Sequence, residues 1–512
     1  MSRTCFDASR AVASTMIDRG LADIIAWQAQ ARPHRTALHF EGADTNFGEL
    51  WRRIDAATLT LQAAGVKPGD RVAWLGLNHP AMLVLLFALA RLGAMLLPLN
   101  YRLAPAELRA ILAHAGADVV VADEAHRNPG PIAEYDCRVL PAERFWPVAI
   151  PQSSAVAPDH LAGTTESPVL LVYTSGTTGK PKGAVHTQAG LLANCLISGD
   201  AHAFTADDHV LTALPMFHVG GLCIQTLPAL YAGARVTVHA RFDAGKWLGD
   251  VQRLKPSTSV LVPATLRAVL EHADFTGIDL SSLRLLSTGS STIPATLIAG
   301  FHARGVPVCQ VYGSTETGPV SIYLRGVEAM AHAGSAGKAG LNVDVRLVDA
   351  NGQDVPPGTV GEVWVRAPNV MQSYWNDADN PAFQDGWFKS GDLARCDEDG
   401  FYWVVGRSKD MIISGGENIY PAELENLLAD CPDILDAAVI GQPDERWGEV
   451  AVAVVVKKPG AMLEATDVMA LFIDKLARFK HPRRVIFADA LPKTALGKVQ
   501  KPELADWCSG LK

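Results

Sequence analysis

The segment that decides the fold runs from Pro168 to Gly183 and reads Pro-Val-Leu-Leu-Val-Tyr-Thr-Ser-Gly-Thr-Thr-Gly-Lys-Pro-Lys-Gly. Its first six residues are mainly apolar, which predicts a buried strand. The rest combines hydroxyl side chains, three glycines and two lysines. Glycine lets backbone N–H groups approach an anion, and lysine adds positive charge. Because open α/β sheets bind ligands at the carboxyl ends of their strands, the segment predicts a polyphosphate site at such an edge.

This loop is not a Walker A sequence. That motif has glycine five residues before its Gly-Lys pair and serine or threonine after the lysine, whereas Thr174 and Pro181 stand at those places here. An ordinary P-loop kinase or ATPase is therefore disfavoured. Taken alone, the loop is equally consistent with a solvated connection between a strand and a helix.

The patterns on either side of this segment predict an α/β protein. Apolar runs alternate with helical patterns from about residue 20 to 330, which predicts parallel α/β layers. Short strands and Asn-Gly or Asp-Gly turns over 340–406 predict a small β subdomain. The remaining residues predict a separate α+β unit, with a helix over 466–476. Since 512 residues exceed the size of one core, we expect a large N-terminal domain, 1–406, and a small C-terminal domain, 407–512.

Composition excludes several classes of protein. The formal net charge of −9 argues against nucleic acid as the main partner. The eight cysteines form no C-x-x-C pair, which disfavours a zinc site and a disulfide framework. The most apolar stretch, Ala81 to Leu99, contains Arg91 and Gly93, and no basic segment followed by an apolar one opens the chain. Neither a membrane span nor a secretory signal is predicted, so the cytoplasm is the expected location.

Three further segments have the composition of a site. Glu316 lies among small hydroxyl residues after a strand-like run, Asp392 is predicted in a tight turn, and Lys498 ends a loop close to the C-terminus. Each has an ordinary explanation alone: a charge at a helix N-terminus, a turn residue and a solvated lysine. Their occurrence together, in this order, is the indication of function.

With these motifs the chain resembles the class I adenylate-forming superfamily, which includes acyl- and aryl-CoA synthetases, luciferases and the adenylation domains of peptide synthetases. The resemblance covers essentially the whole chain. The segments that carry it are Tyr173–Gly183, Leu214–His218, Tyr312–Glu316, Trp387–Asp392, Gly406–Asp410, Gly415–Pro421 and Pro492–Lys498.

The resemblance implies that ATP and a carboxylic acid bind between a large body and a small lid. Thr315 and Glu316 would lie at the α-phosphate, and Glu316 also at Mg²⁺. Asp392 would accept from the ribose hydroxyls with Arg407 assisting, and Tyr312 would lie against the adenine. The residues implied to hold the β- and γ-phosphates are Thr174, Ser175, Gly176, Thr177, Thr178 and Lys182.

Two lysines are assigned to the lid by the same resemblance. Lys498 would bridge the acid's carboxylate and the α-phosphate, and Lys409 matches a hinge within 407–410. Physical chemistry supports both roles. A carboxylate that attacks a phosphate brings two anions together and needs local cations. The acyl adenylate that results hydrolyses easily, so a lid that excludes water is useful, and its rotation would admit a thiol afterwards.

Coenzyme A is the thiol that the resemblance implies. Gly415 and Gly416 would line a pantetheine tunnel, because missing side chains leave room for a narrow chain. Trp447, Phe479 and Arg483 match positions that contact the CoA nucleotide, and they supply aromatic and cationic groups suited to it. A turn before a helix and a solvated basic edge are the alternative explanations.

The acid pocket is implied less sharply. His218 matches a position beside the substrate carboxylate and is interpreted as a gate, although a packing histidine is equally consistent. Val311 stands where many relatives carry glycine, which should narrow the pocket. No cation is evident to pair with a second carboxylate, which favours a monocarboxylic acid. The residues expected to shape the pocket are Gly220, Gly221, Ile224, Gly289, Ser290, Ser291 and Val311.

The expected function is therefore an ATP-dependent acid–CoA ligase that forms an acyl-AMP from a fatty acid or an aryl or cinnamate-type acid. One alternative is an adenylating enzyme that loads the pantetheine arm of a carrier protein. A nucleotide-binding protein without catalysis is disfavoured because the charged residues are all present, and a serine hydrolase because no G-x-S-x-G occurs. A homodimer is left open.

Overall fold

The computed structural model describes residues 20–127, 132, 135–149, 161–174, 182–289, 293–378, 380–414, 417–444, 446–473, 475–494 and 497–511. The α-helices in this part of the chain are Asp23–Ala31, Phe47–Ala63, Pro80–Leu92, Pro105–Ala115, Glu124–Arg127, Gln188–His202, Val219–Gly221, Leu227–Ala232, Ala244–Leu254, Pro263–Leu270, Ala295–His302, Pro421–Ala429, Ala465–Ala470 and Lys501–Ser509. A π-helical turn, Leu222–Thr226, joins two of them, and 3₁₀ turns occupy Ala142–Arg144, Thr315–Thr317, Ser408–Asp410 and Arg478–Lys480.

The strands of the N-terminal part are β1 Thr36–Phe40, β2 Ala43–Asn46, β3 Arg71–Leu75, β4 Met95–Leu99, β5 Val119–Ala122, β6 Arg138–Pro141, β7 Pro168–Thr174, β8 Lys182–Thr187, β9 His209–Thr212, β10 Arg235–Val238, β11 Thr258–Leu261, β12 Leu285–Thr288, β13 Val308–Tyr312, β14 Ile322–Tyr323 and β15 Lys338–Ala339. The remaining strands are β16 Asp344–Val348, β17 Gly361–Arg366, β18 Ser373–Tyr374, β19 Phe383–Gln384, β20 Trp387–Cys396, β21 Tyr402–Arg407, β22 Ile412–Ser414, β23 Glu417–Ile419, β24 Ile434–Asp444, β25 Gly448–Lys457 and β26 Arg484–Phe487.

Two large sheets form the centre of the described fold. One has the order β15-β14-β13-β12-β11-β9-β10-β1-β2, and the other β18-β8-β7-β4-β3-β5-β6. The inner strands of each run parallel, from β13 to β1 and from β7 to β6, while strands at the ends are antiparallel. The predicted α/β class is confirmed, and β7 is the strand predicted before the phosphate loop.

The most apolar helix is packed inside the protein. His79 caps its start by accepting from the Ala81 N–H at 3.0 Å, Pro80 occupies the first turn, and Gly93 ends it in a left-handed conformation. Nearly every side chain of Pro80–Leu92 is buried. In the described part of the chain, no helix combines the length and apolarity needed to cross a bilayer.

The predicted β subdomain is an antiparallel sheet, β16-β17-β20-β19 with β21 beside β20. The tight turn predicted around Asp392 is wrong, because Asp392 lies inside β20. The register between β17 and β20 shifts at this point. Glu362 pairs with Leu393 and Trp364 pairs with Lys389, so the three residues 390–392 of β20 lie opposite the single residue Val363 of β17. Gly391 supplies the left-handed φ of +70° within this bulge. Such a bulge redirects a side chain without ending the strand.

The C-terminal part folds around its own sheet, β23-β22-β25-β24 with β26 parallel to β25. Two apolar clusters that flank this sheet contain only residues after 411, which supports a boundary at 407–410; that boundary stays a prediction. The helix predicted over 466–476 is shorter than expected and ends at Ala470. Beyond Ala470 the backbone forms turns with hydrogen bonds between residues three apart, and Phe472 is buried in the core.

Candidate active site

The two ends of the phosphate loop are held together by strand pairing. Thr174 lies opposite Lys182 in the antiparallel pair β7–β8, and its hydroxyl reaches the Lys182 carbonyl at 3.5 Å. The Lys182 ammonium lies 5.1 Å from the centre of the Tyr374 ring. The predicted loop residues Ser175, Gly176, Thr177 and Thr178 lie outside the described residues.

Glu316 lies in the 3₁₀ turn Thr315–Thr317 that follows β13, and Tyr374 connects it to Lys182. Its Oε1 accepts a hydrogen bond of 2.8 Å from the Tyr374 hydroxyl. Burial, and then the Glu316 charge, raise the pKa of Tyr374, so its hydroxyl stays a donor. Asn369 supports the turn: it is fully buried and donates to the Thr317 carbonyl at 2.8 Å.

The donor set around Glu316 is compatible with magnesium, although Glu316 would be a single protein ligand. In the described part of the chain, no group of three His, Cys, Asp or Glu side chains comes together as a metal cage. Mg²⁺ commonly uses one or two carboxylates, several waters and substrate phosphates instead of such a cage. One oxygen of Glu316 is already taken by Tyr374, which leaves the other for a cation.

Asp392, Arg407 and Tyr312 form one hydrogen-bonded cluster. Asp392 lies opposite Arg407 in the pair β20–β21, and Arg407 Nε donates to Asp392 Oδ1 at 2.7 Å. The Tyr312 hydroxyl donates to Asp392 Oδ2 at 3.0 Å. Burial opposes the charge of Arg407, yet the Asp392 carboxylate holds the pKa of the guanidinium above its ordinary value. Burial and the same carboxylate raise the pKa of Tyr312. The cluster therefore presents a carboxylate beside an aromatic ring.

Lys498 lies within electrostatic range of this cluster. Its side chain is exposed, yet desolvation by the surrounding protein, followed by the charge of Arg407, lowers the pKa of its ammonium. The charge of Asp392 acts in the opposite direction. A Cβ at Gly497 would lie 3.5 Å from the Ala264 Cβ, so the Lys498 loop touches the N-terminal part. Lys409 lies exposed in the 3₁₀ turn Ser408–Asp410, between the two parts.

A small cavity of about 40 Å³ lies near the start of the helix whose Ala264 faces the Lys498 loop. Val262, which precedes the helix beginning Pro263-Ala264, is one of its walls. The full set of lining residues is Leu214, Pro215, His218, Gly220, Gly221, Ile224, Val260, Val262 and Gly289. Four of the residues expected to shape the acid pocket, Gly220, Gly221, Ile224 and Gly289, are therefore among its walls.

Gly289 and Val311 explain the shape of one wall. A Cβ at Gly289 would lie 2.5 Å from the Val311 carbonyl oxygen and 3.2 Å from its Cγ2, so only glycine fits there. Val311 packs behind Gly289 in the apolar cluster that also contains Leu214 and Ile224. The predicted pocket residues Ser290 and Ser291 lie outside the described residues.

His218 borders the cavity as a neutral side chain. Burial, reinforced by Arg102, lowers the pKa of its imidazole to about 4. Its ring lies 4.5 Å from that of Phe217, and no described residue bonds to its buried Nε2. A neutral ring at a cavity edge is compatible with the gate role expected from the sequence, which stays a prediction.

The residues expected to contact CoA are partly brought together. The Arg483 guanidinium lies 5.3 Å from the Trp447 ring centre. Phe479 lies in the turn Arg478–Lys480 with 42 % of its surface exposed, and the described residues show no ring contact between it and Trp447. Gly415 and Gly416 lie outside the described residues.

Comparison with known proteins identifies the family. The model for AMP-binding enzymes matches residues 25–375, and that for the C-terminal domain of AMP-binding enzymes matches residues 423–498. The chain belongs to the AMP-binding enzyme family. The resemblance to the adenylate-forming superfamily is thus confirmed for this AMP-binding enzyme.

Two curated relatives and one solved structure span nearly the whole AMP-binding enzyme. Indoleacetate–CoA ligase of Aromatoleum aromaticum is 44% identical over 94% of this chain and 97% of its own length. Feruloyl-CoA synthase of an Amycolatopsis species is 41% identical over 96% and 99%. An anthranilate CoA ligase solved with anthranoyl-AMP superposes with a TM-score of 0.88 at 28% identity, covering 97% and 98%.

Sequence reasoning missed several residues of this site. Tyr374, which contacts both Glu316 and Lys182, belongs to none of the sequence motifs, because its role depends on strand β18 pairing with β8. Val260 and Val262 were also missed. Their signal was available, since a strand followed by a Pro-initiated helix marks a carboxyl edge in an α/β sheet.

Proposed function

We propose that this AMP-binding enzyme is an ATP-dependent ligase that joins an aromatic monocarboxylic acid to coenzyme A through an acyl-AMP intermediate. The observation that carries this proposal is the apolar cavity whose wall Val262 stands two residues before Ala264, the residue that faces the Lys498 loop. No lysine or arginine is among its described walls, so a second carboxylate would lack a partner. The names of the two curated relatives, which act on arylacetate and arylpropenoate acids, favour an aromatic acid over a fatty acid.

In the first half-reaction a carboxylate oxygen of the acid bonds to the α-phosphorus of ATP, and the bond from that phosphorus to pyrophosphate breaks. We assign Lys498 to hold the carboxylate and the α-phosphate, because an ammonium offsets the charge that accumulates there. Thr174 and Lys182 would hold the outer phosphates. Asp392 would accept from the ribose and Tyr312 would lie against the adenine. Magnesium, held by Glu316 with Thr315 beside the α-phosphate, would add positive charge at the phosphates when bound.

In the second half-reaction the thiol sulfur of coenzyme A bonds to the acyl carbon, and AMP leaves. We propose that residues 407–512 act as the lid and that Lys409 is in its hinge. The charge of Asp392 acts on Lys498, which supports the proposal that Lys498 meets the nucleotide during adenylation. The Trp447–Arg483 pair is on the lid surface and supplies the aromatic and cationic groups that a CoA nucleotide needs. A cytoplasmic location is part of the proposal, because ATP and coenzyme A are cytoplasmic substrates.

The test is acid-dependent release of pyrophosphate and CoA-dependent release of AMP from purified protein with ATP and Mg²⁺. A panel of arylacetates, arylpropenoates and fatty acids is offered with free coenzyme A or, in parallel, with a pantetheinylated carrier protein. Thioester formation on free coenzyme A with an aromatic acid is expected. Acylation of the carrier alone would favour carrier loading, and failure of every acid to release pyrophosphate would refute the proposal.

A further inference from the structure

A second, smaller cavity of about 10 Å³, with room for one small polar group or one water, lies beside the first and shares the walls Leu214, Gly220, Gly221 and Val260 with it. Its remaining lining residues are Leu211, Thr212, Ala213, Gln225 and Thr226. Val262, two residues before the Ala264 that faces the Lys498 loop, lines the first, outer cavity but not the second, inner one, so we assign the carboxylate end of a bound acid to the outer cavity. The inner cavity therefore lies where the far end of a bound acid would reach.

Gln225 stands out in this inner cavity. The residue is 2 % exposed, and its Oε1 is buried without a hydrogen-bond partner among the described residues. A buried acceptor without a partner destabilises the folded protein, because it has lost its hydrogen bonds to water. Native proteins rarely leave such an atom unpaired, and an unpaired one in a cavity points to a ligand or a water.

The orientation of the Gln225 amide follows from a relay of hydrogen bonds that begins at a backbone carbonyl. His202 Nδ1 lies 2.8 Å from the Ser198 carbonyl, which only accepts, so Nδ1 carries the proton. Burial lowers the pKa of His202 to about 4, so the ring is neutral and its Nε2 is an acceptor. The Ser287 hydroxyl, at 2.7 Å, must donate to that Nε2.

The relay continues to the amide. The Ser287 hydroxyl donates its only proton to His202, so its oxygen can only accept a hydrogen bond from Gln225. The Gln225 group that lies 3.2 Å from this oxygen must therefore be the amide NH₂. The same NH₂ donates to the Thr258 hydroxyl at 2.8 Å. Turning the amide over would place an acceptor against an acceptor. Oε1 is thus held away from the relay and is buried without a partner, and Gln225 is one of the walls of the inner cavity.

A π-helical turn places Gln225 at this position. The turn Leu222–Thr226 is stabilised where its backbone departs from α-helical bonding: Thr226 Oγ1 donates to the Gly221 carbonyl at 2.7 Å, and Asn194 donates to the Cys223 carbonyl at 2.7 Å. Ser198 donates to the Ile224 carbonyl. These side-chain hydrogen bonds stabilise the π-helical turn. Such turns are frequent at functional sites.

We infer that Gln225 Oε1 accepts a hydrogen bond from a donor on the aromatic acid. The donor, a ring N–H or a hydroxyl, lies at the end of the acid that is distant from its carboxylate. This inference rests on the proposed function and narrows its substrate class. A site whose buried acceptor is satisfied only by the correct ligand discriminates against an analogue that lacks the donor.

The experiment compares kcat/KM for two matched pairs of acids: indole-3-acetate with 1-benzothiophene-3-acetate, and 4-hydroxycinnamate with cinnamate. The unsubstituted enzyme should prefer the donor-bearing acid in at least one pair by about tenfold or more. Gln225→Met keeps the size of the side chain but removes the acceptor, so the preference should fall to near unity. Gln252→Met, an exposed glutamine outside the cavity, is the matched control and should leave it unchanged.

Ser287→Ala is the second variant and removes little volume. It frees the amide to turn over, so it should weaken the donor preference while Gln225 is still present. Equal use of both members of each pair by the unsubstituted enzyme would overturn the inference and mean that a water satisfies Oε1, yet thioester formation would leave the proposed function intact. A preference that survives Gln225→Met would also overturn it. Comparing preference ratios keeps the result independent of the amount of folded variant.

Discussion

Asp392→Asn is expected to weaken ATP binding strongly while leaving the acid cavity intact. The carboxylate accepts one bond on each oxygen, from Arg407 at 2.7 Å and from Tyr312 at 3.0 Å. Each oxygen has capacity for a second bond, which we assign to the ribose hydroxyls. In the variant the amide NH₂ must turn away from the Arg407 donor, so it faces Tyr312 and replaces one ribose acceptor with a donor.

The magnitude follows from these contacts. A hydrogen bond to a charged group contributes about 1.5–3 kcal/mol, and the Asp392 side chain is only 12 % exposed, so solvent screens it little. The variant loses one such bond to the ribose, and the other bond is no longer made to a charged group. The binding free energy of ATP should weaken by about 2–3 kcal/mol, which is about a 30- to 150-fold higher dissociation constant. Arg407 is 32 % exposed, and its solvation limits the accompanying loss of stability.

Isothermal titration calorimetry with ATP and Mg²⁺ measures this effect directly. Asp344→Asn is the matched control, because Asp344 forms an ion pair with Arg366 at 3.0 Å but is 63 % exposed and lies outside the cluster. That control should bind ATP like the unsubstituted protein. An Asp392→Asn variant that folds and binds ATP within a factor of three of the unsubstituted protein would refute the assignment of the ribose to this carboxylate.

Four further outcomes are expected. Lys498→Ala should reduce acid-dependent ATP–pyrophosphate exchange by about 10²–10³-fold yet leave thioester formation from supplied acyl adenylate; equal loss of both would contradict its role. Lys409→Pro should slow thioester formation more than exchange, because proline restricts the backbone rotation of a hinge; unchanged CoA-dependent turnover would count against the hinge. Tyr374→Phe removes the 2.8 Å bond to Glu316 and should raise the Mg²⁺ concentration needed for half-maximal exchange several-fold, and an unaltered Mg²⁺ titration would dissociate Tyr374 from the metal. Burial lowers the pKa of His186 from 6.5 to about 4, so between these values the unfolded chain binds a proton that the folded chain does not, and stability falls as the pH is lowered through this window. His186 should account for about 2 kcal/mol of that loss at pH 5, and urea unfolding of His186→Gln should show a shallower pH dependence.

Much of the fold could be predicted from local patterns. The apolar run before Thr174 forms β7, and the alternation up to residue 330 forms the two large sheets. Two local predictions were wrong. The turn around Asp392 is a bulge inside β20, and the helix expected to reach residue 476 ends at Ala470. In both cases long-range packing decided the result: the register against β17 in the first and the burial of Phe472 in the second.

The residues of the site also divide into those that local sequence predicts and those that depend on long-range pairing. Glu316, Asp392 and Lys498 stand in short motifs whose composition already indicates phosphate chemistry, so local sequence is enough to name them. Tyr374 could not be named in this way, because it meets Glu316 across 58 residues of chain only when β18 pairs with β8.

The sequence by itself determined which chemical groups are available: a hydroxyl- and glycine-rich loop after a strand, two carboxylates and a late lysine. These follow from composition and spacing along a short stretch of chain. Only the tertiary structure decided how the groups point. The direction of the Gln225 acceptor depends on Ser287 and on the tautomer of His202, which are brought together from separate helices and strands. Hydrogen-bond direction is set by every partner in a network at once, and those partners are neighbours in space but not in the chain.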